Sequence, residues 1–530
     1  MTSDRRRLFI QANKTISELY LRRGTSKFVY ADLMHNNLEY LLRSLYIARS
    51  TAVITGCDLI GIAGNPGVVE RSAYLDPKQF DFELAESFGV KQIIFAPAKS
   101  KHEACSVFEP LLDPSSRCDT IGRASVETIR NLQNLQDRDG VQIGRIVQDT
   151  FMRSNLWPTV YECDALNSTR EEIDTLSGWL RDIFRDRPPE AFVSGHIDYS
   201  PWGLAMQHCL AEGGKGIYYR CDVRTPIYVL GHRENKETLN GLLRRADERA
   251  FLEHRDISQI SRTSIDIRHA LNDSISKNWR WTTHPDAGDH FEWPFSTNLP
   301  TACLFSHTFT DQPSADESVF IDHLDWLEKT LAHAAARGDY NLLVKVHPLD
   351  GLFDLSKSID RLENEFSIHK NIVFSRQPIP TSTIVNNCAV GITVRGTPGT
   401  EFSALGLTML LAGRAYYDHV ECVIRANSEL EYFSYLEDIL FSRIKPVDTV
   451  IAKEYVAFDR YWAAPFSSLL GSFSPNRDPE LIWSNALSAC PATAFEVDEI
   501  TQCLSDAIDN CEKYGSARAV PRHANSLLLN

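Results

Sequence analysis

Paired cysteines, a net positive charge and long apolar runs, three features that often identify a class of protein, are missing from this sequence of 530 residues. Its twelve cysteines form no Cys-x-x-Cys pair and no spacing typical of zinc ligands, which predicts reduced thiols, as in a cytoplasmic protein. No apolar run reaches the roughly 18 residues that a membrane-spanning helix needs, and no hydrophobic segment of a signal peptide follows the basic first residues. The sequence therefore predicts a cytoplasmic protein.

The formal net charge is −15 at pH 7, because 70 Asp and Glu outnumber 55 Lys and Arg. This balance argues against a general nucleic-acid binder, since contact with phosphates needs clustered Lys and Arg. The start of the chain is a local exception, with basic residues at Arg5, Arg6, Arg7, Lys14, Arg22, Arg23 and Lys27. Such a segment could rest on anionic lipid at the inner face of the membrane, although a solvated arm is the favoured interpretation.

Two further absences concern bound groups and repeats. No Asp-x-Asp pair follows a predicted strand, as a bound magnesium ion would suggest, so neither a metal nor a cofactor is predicted. No internal repeat or low-complexity tract is present. The chain does have length and 43% hydrophobic residues, which can bury two cores, so two domains are expected.

The most informative stretch is 389–417, AVGITVRGTPGTEFSALGLTMLLAGRAYY. It contains two apolar runs, 389–394 and 407–412, that predict buried parallel strands. The turn after the first run contains Arg395, Gly396, Thr397, Gly399 and Thr400, and Glu401 then opens a short helix. A turn that leads into a helix can present backbone N–H groups to an anion, and Glu401 can accept hydrogen bonds from sugar hydroxyls beside it. Phosphate and ribose side by side predict a nucleotide site.

The alternative is structural: the glycines allow a tight turn and Glu401 caps the helix. A second motif favours the ligand interpretation. Residues 341–348, NLLVKVHP, predict another apolar strand, which ends in Lys345-x-His347-Pro348. Proline stops the strand, which leaves Lys345 and His347 near the carboxyl edge of a parallel sheet, where ligands bind in open α/β folds.

Candidates for the chemical step lie in the first half of the chain. Residues 191–203, AFVSGHIDYSPWG, predict a strand that runs into a polar loop, followed by a helix. Asp198 in this loop is the first candidate for a general base or a carboxylate nucleophile, His196 is the second, and Asp149 is the third. A turn or helix-capping role for Asp198 stays open.

Together these motifs resemble the nucleotide half of GT-B glycosyltransferases. Lys-x-His-Pro, the turn at 395–401 and the run that ends in Arg414-x-Tyr416-Tyr417 are most similar to bacterial capsule and lipopolysaccharide enzymes of the Kdo-transferase-like group, which use CMP-activated sugars. The similarity is best over residues 300–440, and it is looser to bacterial polysialyltransferases. Gly144, Asp149 and Arg153, in this order, also resemble the group.

The resemblance implies an α/β protein of GT-B fold, with two Rossmann-like domains facing each other across a cleft. Its phosphate ligands would be His347, Arg395, Gly396, Thr397 and Thr400, and Glu401 would meet the ribose. Arg395 stands where serine or threonine is common in the group, which suggests an added phosphate cation or a different donor. The implied activity is metal-independent transfer of Kdo or a related acid sugar from a CMP-activated donor to a growing surface polysaccharide or lipopolysaccharide.

The expected domains are residues 1–285 on the acceptor side, 286–450 on the nucleotide-sugar side, and C-terminal helices in 451–530 that brace both. Three other functions stay open. A teichoic-acid-type glycerophosphotransferase would share the His-Pro strand, but usually has an Asp and paired serines in the later turn. A nucleotide-sugar 2-epimerase would act on the donor without an acceptor. A non-catalytic partner of a polysaccharide assembly complex would bind the nucleotide sugar without turnover.

Local patterns also predict secondary structure that the fold can test. Helical spacing of leucines predicts a helix over 31–50, and the β-branched run after it predicts a strand over 51–55. Residues 141–153, around Asp149, are interpreted as a strand with a polar exit. A strand is predicted at 301–305, and a helix at 318–336 with His323 and Asp325 on its outer side.

Overall fold

The structure, a computed structural model, describes most of the chain. The described residues are 4–21, 26–35, 37–64, 81–97, 122–221, 224–231, 238–258, 291–296, 298–314, 318–444, 449–467, 469–470, 478–489 and 499–521. Arg22 and Arg23 of the basic N-terminal segment, and the predicted domain boundary after residue 285, lie outside the described residues.

Within these residues strands and helices alternate, as in an α/β protein. The strands are β1 (Phe28–Asp32), β2 (Asp58–Ala63), β3 (Val90–Phe95), β4 (Pro189–Ser194), β5 (Lys215–Tyr219), β6 (Ile227–Leu230), β7 (Thr301–Phe305), β8 (Asn341–Lys345), β9 (Ile372–Ser375), β10 (Val390–Thr393), β11 (Thr408–Leu411), β12 (Ile424–Arg425) and β13 (Ser516–Arg518). The helices are α1 (Asp4–Tyr20), α2 (Leu38–Thr55), α3 (Phe82–Ser87), α4 (Val126–Gln133), α5 (Gly144–Asn155), α6 (Asp164–Asp186), α7 (Leu204–Ala211), α8 (Leu239–Ser258), α9 (His323–Arg337), α10 (Asp350–Phe353), α11 (Ser358–Glu365), α12 (Thr381–Asn387), α13 (Pro398–Ala404), α14 (Glu429–Leu440), α15 (Thr449–Ala457), α16 (Pro479–Ala489) and α17 (Glu499–Tyr514). Two π-helical turns lie at Tyr199–Gly203 and Phe458–Trp462.

The described strands form two sheets. We call the part of the chain that contains β1 to β6 the first half and the part that contains β7 to β12 the second half. The first sheet has the order β13-β6-β5-β4-β1-β2-β3, and β1 to β5 are parallel, whereas β6 is antiparallel to both of its neighbours. The second sheet, β12-β11-β10-β7-β8-β9, is parallel throughout. Both contain the strand order of a Rossmann-like domain, in which the order reverses at a switch point where ligands bind. That point lies between β1 and β4 in the first sheet and between β7 and β10 in the second.

The strands of the second sheet form because both of their faces are covered. Leu304, Leu342 and Val344 pack with residues of α9 and α14 on one face, and Leu343 and Met409 pack with residues of α12 and α13 on the other. Burial on both faces explains why these strands are continuous apolar runs in the sequence rather than alternating patterns.

The C-terminal segments return to the first half of the molecule. Helix α16 packs on α1, where the rings of Trp483 and Phe9 lie 5.8 Å apart, and α17 packs on α2. Strand β13 then joins the first sheet by pairing with β6. Helix α15 instead packs on α13 of the second half and also contacts α8. The last described part of the chain therefore contacts both halves.

Contacts between the halves involve segments that follow strands at the two switch points. The Tyr199 hydroxyl, after β4, donates a hydrogen bond to the Thr310 carbonyl, after β7, at 3.0 Å. Asp149 on α5 accepts a hydrogen bond from the Ser314 backbone N–H at 2.9 Å. The carboxyl ends of both sheets thus point toward the same space. The predicted fold class, two Rossmann-like domains of GT-B type facing each other across a cleft, is confirmed.

Two predictions for the start of the chain are wrong. The segment predicted as a helix over 31–50 begins with β1, and its helix, α2, starts only at Leu38. The predicted strand 51–55 is the last part of α2, which ends at Gly56 with φ at 69°. Burial of α2 against the first sheet and α17 outweighs the weak strand preference of its β-branched residues.

Two later predictions are also wrong. Residues 144–155 form helix α5 rather than a strand with a polar exit, so Asp149 lies in the middle of a helix. Ile146, Val147 and Phe151 bury the helix in the first half, and this packing decides its conformation. His323 and Asp325, predicted on the outer side of a helix, are buried at the start of α9.

Candidate active site

A cavity of about 580 Å³ lies between the two halves and contains three of the predicted site residues. The first half contributes the carboxylates of Asp149 and Asp198, and the second half contributes the Arg395 guanidinium. Asp149 comes from α5, Asp198 from the loop after β4, and Arg395 from the turn after β10. Residues separated by up to 246 positions in the sequence thus meet because both switch points open toward one space.

Asp198 is half-buried at the edge of this cavity, and Gln312 from the other half holds it. The Gln312 side-chain amide donates a hydrogen bond to Asp198 Oδ2. The backbone of Gln312 is left-handed, with φ at 52°, and its N–H donates to the Tyr199 hydroxyl at 2.9 Å. A non-glycine residue in this conformation is strained and is common at functional sites. The loop therefore positions Asp198 through contacts that cross the domain interface.

The electrostatic environment keeps Asp198 from ionising easily. Burial raises the pKa of Asp198 to about 8, Arg395 opposes this effect, and the nearby carboxylates of Asp149 and Asp311 add to it. A carboxyl group whose pKa lies near the working pH can take up and release a proton, which is the property required of a general base.

The pKa of Asp149 is also raised, but less than that of Asp198. Burial raises the pKa of Asp149 to about 6, whereas the hydrogen bonds from Ser314 and the positive charges of Arg145 and Arg395 oppose the rise. Arg145 also donates a hydrogen bond to the Ser314 carbonyl. The two aspartates therefore differ in pKa, and Asp149 is the more readily ionised of the two.

Arg395 is the second half's charged contribution to the cavity. Its Nη1 is buried and makes no hydrogen bond to any residue that the structure describes. A buried guanidinium nitrogen without a partner is costly unless an anion or an acceptor arrives. Arg395 is thus suited to hold a phosphate or a carboxylate of a ligand.

His347 is positioned by two backbone hydrogen bonds. Its N–H donates to the Ser306 hydroxyl at 2.8 Å, and its ring Nδ1 accepts from the Leu349 N–H at 3.1 Å. Burial lowers the pKa of His347 to about 4, although Asp311 opposes this effect. The ring is therefore neutral at pH 7 and, because Nδ1 is an acceptor, carries its proton on Nε2.

The sequence predictions missed a second histidine beside the turn. His307, directly after β7, places Nε2 3.1 Å from the Thr393 hydroxyl and 3.5 Å from the Arg395 backbone N–H. Its ring lies 4.8 Å from that of His323, and burial lowers the pKa of His307 well below its usual value. A histidine directly after a predicted strand was visible in the sequence, as it was for His347.

Lys345 and Glu401 lie at the carboxyl edge of the second sheet but do not line the cavity. Burial lowers the pKa of Lys345, and the charge of Glu401 is among the effects that oppose this change. The two side chains are thus close enough to interact. Glu401 is 8% exposed, on the first turn of α13.

Four backbone N–H groups of the turn at 395–401 are hydrogen-bonded within the protein, whereas the sequence predicts that this turn presents free N–H groups to an anion. Gly396 N–H donates to the Thr393 hydroxyl, Gly399 N–H to the Gly396 carbonyl, and both Thr400 and Glu401 to the Thr397 carbonyl. These donors are already used within the turn. The Arg395 side chain, whose Nη1 has no hydrogen-bond partner among the described residues, is therefore better suited than this backbone to hold an anion.

Gly399 is required because Tyr417 fills the space beside it. A Cβ at Gly399 would overlap the Tyr417 hydroxyl and lie 2.8 Å from its Cζ, while that hydroxyl donates to the Gly396 carbonyl. We expect Gly399→Ala to lower the free energy of unfolding by about 1–3 kcal/mol, measured by denaturant titration. Gly351→Ala is the control, because a Cβ at Gly351 meets nothing within 4 Å. Equal stability of both variants would show that Tyr417 can move aside.

His196 lies in a different environment from the two aspartates. Its ring stacks 5.3 Å from that of His35 and 5.2 Å from that of Tyr40, at the switch point of the first sheet. Burial lowers the pKa of His196 to about 4, so the ring is neutral at pH 7. His196 does not line the cavity, whereas Asp149, Asp198 and Arg395 do.

Asp311 is a further residue that the sequence predictions did not single out. It is exposed, and its carboxylate lies 3.2 Å from the Tyr199 hydroxyl. Its charge also acts on the pKa of Asp198, of His347 and of His196. Asp311 therefore lies between the candidate residues of the two halves.

Among the described residues no three His, Cys, Asp or Glu side chains are gathered closely enough to bind a metal ion. None of the described helices combines the length and the apolar character needed to cross a bilayer.

Comparisons with known proteins give distant structural similarities only. No family model matches the chain, and no curated protein matches it. A KpsC β-Kdo 2,4 transferase of Thermosulfurimonas dismutans is 14% identical, with 56% of this chain and 87% of that chain covered and a TM-score of 0.31. A glycosyltransferase of Rickettsia africae is 10% identical, with 88% and 99% covered and a TM-score of 0.26. A UDP-GlcNAc 2-epimerase of Neisseria meningitidis is 10% identical, with 62% and 82% covered and a TM-score of 0.24.

Proposed function

We propose that this protein transfers a sugar from a nucleotide-activated donor to a hydroxyl group of an acceptor. The observation that carries the proposal is the meeting of Asp149 and Asp198 from one domain with Arg395 from the other in a single cavity. Sugar transfer needs a base or a nucleophile on one side of the anomeric carbon and positive charge for the leaving phosphate on the other. Two opposed switch points can supply these groups from opposite sides.

On the donor side, the proposed ligands of the phosphate are Arg395 and His347. Arg395 has a buried nitrogen without a hydrogen-bond partner among the described residues, and His347 has its proton on Nε2, the atom that can donate to a phosphate oxygen. Glu401 is proposed to accept hydrogen bonds from the ribose. Lys345, Gly396, Thr397, Gly399 and Thr400 would shape the edge of this nucleotide site.

The chemical step proposed for Asp198 has two forms. As a general base, Asp198 takes the proton of the acceptor hydroxyl while that oxygen bonds to the anomeric carbon and the bond to the phosphate breaks. As a nucleophile, Asp198 first bonds to the anomeric carbon while the bond to the phosphate breaks; the acceptor oxygen then displaces the Asp198 carboxylate from that carbon and gives its proton to Asp149. In both forms the negative charge that leaves with the phosphate is stabilised by Arg395, so the proposed step uses protein groups and needs no metal.

We further propose specific substrates: the donor is a CMP-activated Kdo or related acid sugar, and the acceptor is a growing surface polysaccharide or lipopolysaccharide. The motif Lys345-x-His347-Pro348 and the turn from Arg395 to Glu401 support it, through their resemblance to the Kdo-transferase-like group. Contact with the inner face of the membrane is part of this proposal. Exposed Arg5, Arg7 and Lys14 on α1 are consistent with attraction to anionic lipid.

The nucleotide site can be tested with single substitutions. We expect His347→Ala and Glu401→Ala each to weaken CMP binding by about 1.5–3 kcal/mol, roughly 10- to 150-fold, because each removes a hydrogen bond that involves a charged group. Isothermal titration calorimetry with CMP measures the effect.

His369→Ala is the matched control, because His369 precedes β9 and so lies at the amino edge of the second sheet, opposite the carboxyl edge where His347 lies. Thermal unfolding should show that all three variants are folded. If both site variants bind CMP as tightly as the parent, the nucleotide site lies elsewhere.

A further inference from the structure

The cavity between the domains has a feature that the proposed chemistry does not use. Besides its charged groups and Gln312, whose amide donates to Asp198, it is lined by a set of uncharged amide side chains, which we call the amide wall: Gln133, Asn134, Gln136, Gln142, Gln207 and Asn240. They come from α4 and the segment after it, from α7, and from the start of α8. All of these elements belong to the first half, the side to which the acceptor is assigned.

Two members of the amide wall are held in place by hydrogen bonds. Gln133 Nε2 donates to Gln148 Oε1 at 2.9 Å, and Asn134 Nδ2 donates to the Arg130 carbonyl at 2.9 Å. In each of them the carbonyl oxygen of the amide can still accept a hydrogen bond. The wall is thus partly fixed before any ligand binds.

Gln207 differs from these two residues because it is buried. Only 8% of it is exposed, and its Oε1 accepts no hydrogen bond from any residue that the structure describes. A buried carbonyl oxygen without a partner destabilises a fold, so such a residue in a cavity wall suggests a ligand that donates to it. Rotation of the terminal amide can present either its oxygen or its nitrogen to the cavity.

The charges around the cavity indicate what kind of ligand this is. Its cationic lining residues are Arg145 and Arg395. Arg145 donates to the Ser314 carbonyl and acts on the neighbouring Asp149, and Arg395 is assigned to the donor phosphate. Neither arginine among the described lining residues is therefore available to bind a negatively charged acceptor. Amides, in contrast, match hydroxyl groups, because both can donate and accept hydrogen bonds.

We propose that the amide wall binds an uncharged, hydroxyl-rich sugar unit of the acceptor, and that Gln207 is the residue that selects it. Apolar side chains of Ile146, Ile197 and Leu239 also line the cavity and can cover the C–H faces of such a unit. This inference rests on the proposed function in one respect, because it takes the cavity as the place where the acceptor lies. It adds the substrate class: the unit next to the reacting hydroxyl carries no charge.

The test measures binding of the full chain to immobilised oligosaccharides of two sets, neutral ones and ones that carry carboxylates. Gln207→Met keeps the length of the side chain but removes the amide. Gln11→Met is the control, because Gln11 is exposed on α1 and does not line the cavity. The parent and the control should retain neutral oligosaccharides in preference to acidic ones. Gln207→Met should bind the neutral set about tenfold more weakly, the loss expected for one buried hydrogen bond.

Thermal unfolding separates this role from a structural one. Gln207→Met removes an unsatisfied oxygen from the interior, so its unfolding midpoint should equal or exceed that of the parent. A lower midpoint, unchanged binding by Gln207→Met, a preference for acidic oligosaccharides, or no binding by the parent would each overturn the inference. CMP titration of the same samples tests the proposed function separately. Neutral-glycan binding without CMP binding would leave this inference standing and remove the nucleotide site.

Discussion

Asp198→Asn should lower the rate of sugar transfer by roughly 10²- to 10⁴-fold, the usual effect of losing a general base, while CMP binding is retained. The substitution keeps the size of the side chain and removes its capacity to take a proton or to attack the anomeric carbon. Initial rates of sugar transfer measure the effect. Asp174→Asn is the control, because Asp174 is exposed on α6 and does not line the cavity.

The dependence on pH gives this prediction a second signature. Because burial raises the pKa of Asp198 to about 8, transfer by the parent should increase as the pH rises toward 8, where the carboxylate forms. This limb of the profile should be absent in Asp198→Asn. A near-parent rate in the variant would show that Asp198 is a turn residue, and His196 and Asp149 would become the candidates.

Stability should change in the opposite direction from activity. The folded-state pKa of Asp198, about 8, lies above the value of about 3.9 expected in the unfolded chain, so the folded state holds the proton more tightly. Its contribution to stability is therefore complete below about pH 4 and is lost as the pH rises toward 8. Asp198→Asn does not ionise, so at pH 7 it should be at least as stable as the parent.

Arg395→Gln is expected to have the second-largest effect, a loss of roughly 10²- to 10³-fold in kcat, as seen when one preorganised donor to a developing charge is removed. Charge develops on the phosphate as the glycosidic bond breaks, and Arg395 offers a buried nitrogen without a hydrogen-bond partner among the described residues. Loss of this cation also removes an effect that lowers the pKa of Asp198. The rising limb of the pH profile should therefore move to higher pH.

Steady-state rates with varied donor concentration measure both effects. Arg395→Lys should restore part of the activity, because it returns the charge without the planar guanidinium. Arg443→Gln is the control, since Arg443 is exposed beyond α14. An unchanged kcat in Arg395→Gln would place the leaving group elsewhere.

The second half of the chain could be predicted well from sequence. The runs 389–394, 407–412 and 301–305 correspond to β10, β11 and β7, each within a residue or two at its ends. Because these strands are buried on both faces, their residues are apolar throughout, and each strand is recognisable as a short apolar run next to glycine or proline.

The first half could be predicted less well, because tertiary packing decides its conformation. The β-branched residues at 51–55 continue α2, and the apolar residues around Asp149 belong to α5. The intrinsic preference of these residues for strand or helix contributes less free energy than the burial of a helix face against a sheet. Asp149 was thus identified from a loose motif but assigned to the wrong kind of element.

The site was predictable where residues follow strands and unpredictable where it depends on contacts across the domains. His347 and Arg395 follow strands, and the sequence indicated both. Gln312 could not be found in this way, because its importance lies in a left-handed backbone and in a hydrogen bond to Asp198, 114 positions away. The Gln207 amide oxygen, which has no hydrogen-bond partner among the described residues, is likewise a result of packing that no local pattern reveals.

The most direct test of sugar transfer is to measure free CMP released from a CMP-sugar by the purified protein, with and without an acceptor glycan. Transfer predicts release that depends on the acceptor, with the sugar recovered on the glycan. An isomerised donor without an acceptor would indicate a 2-epimerase, and tight binding without turnover would indicate a non-catalytic partner. Either of these results would contradict the proposal that the cavity formed by Asp149, Asp198 and Arg395 is the site of sugar transfer.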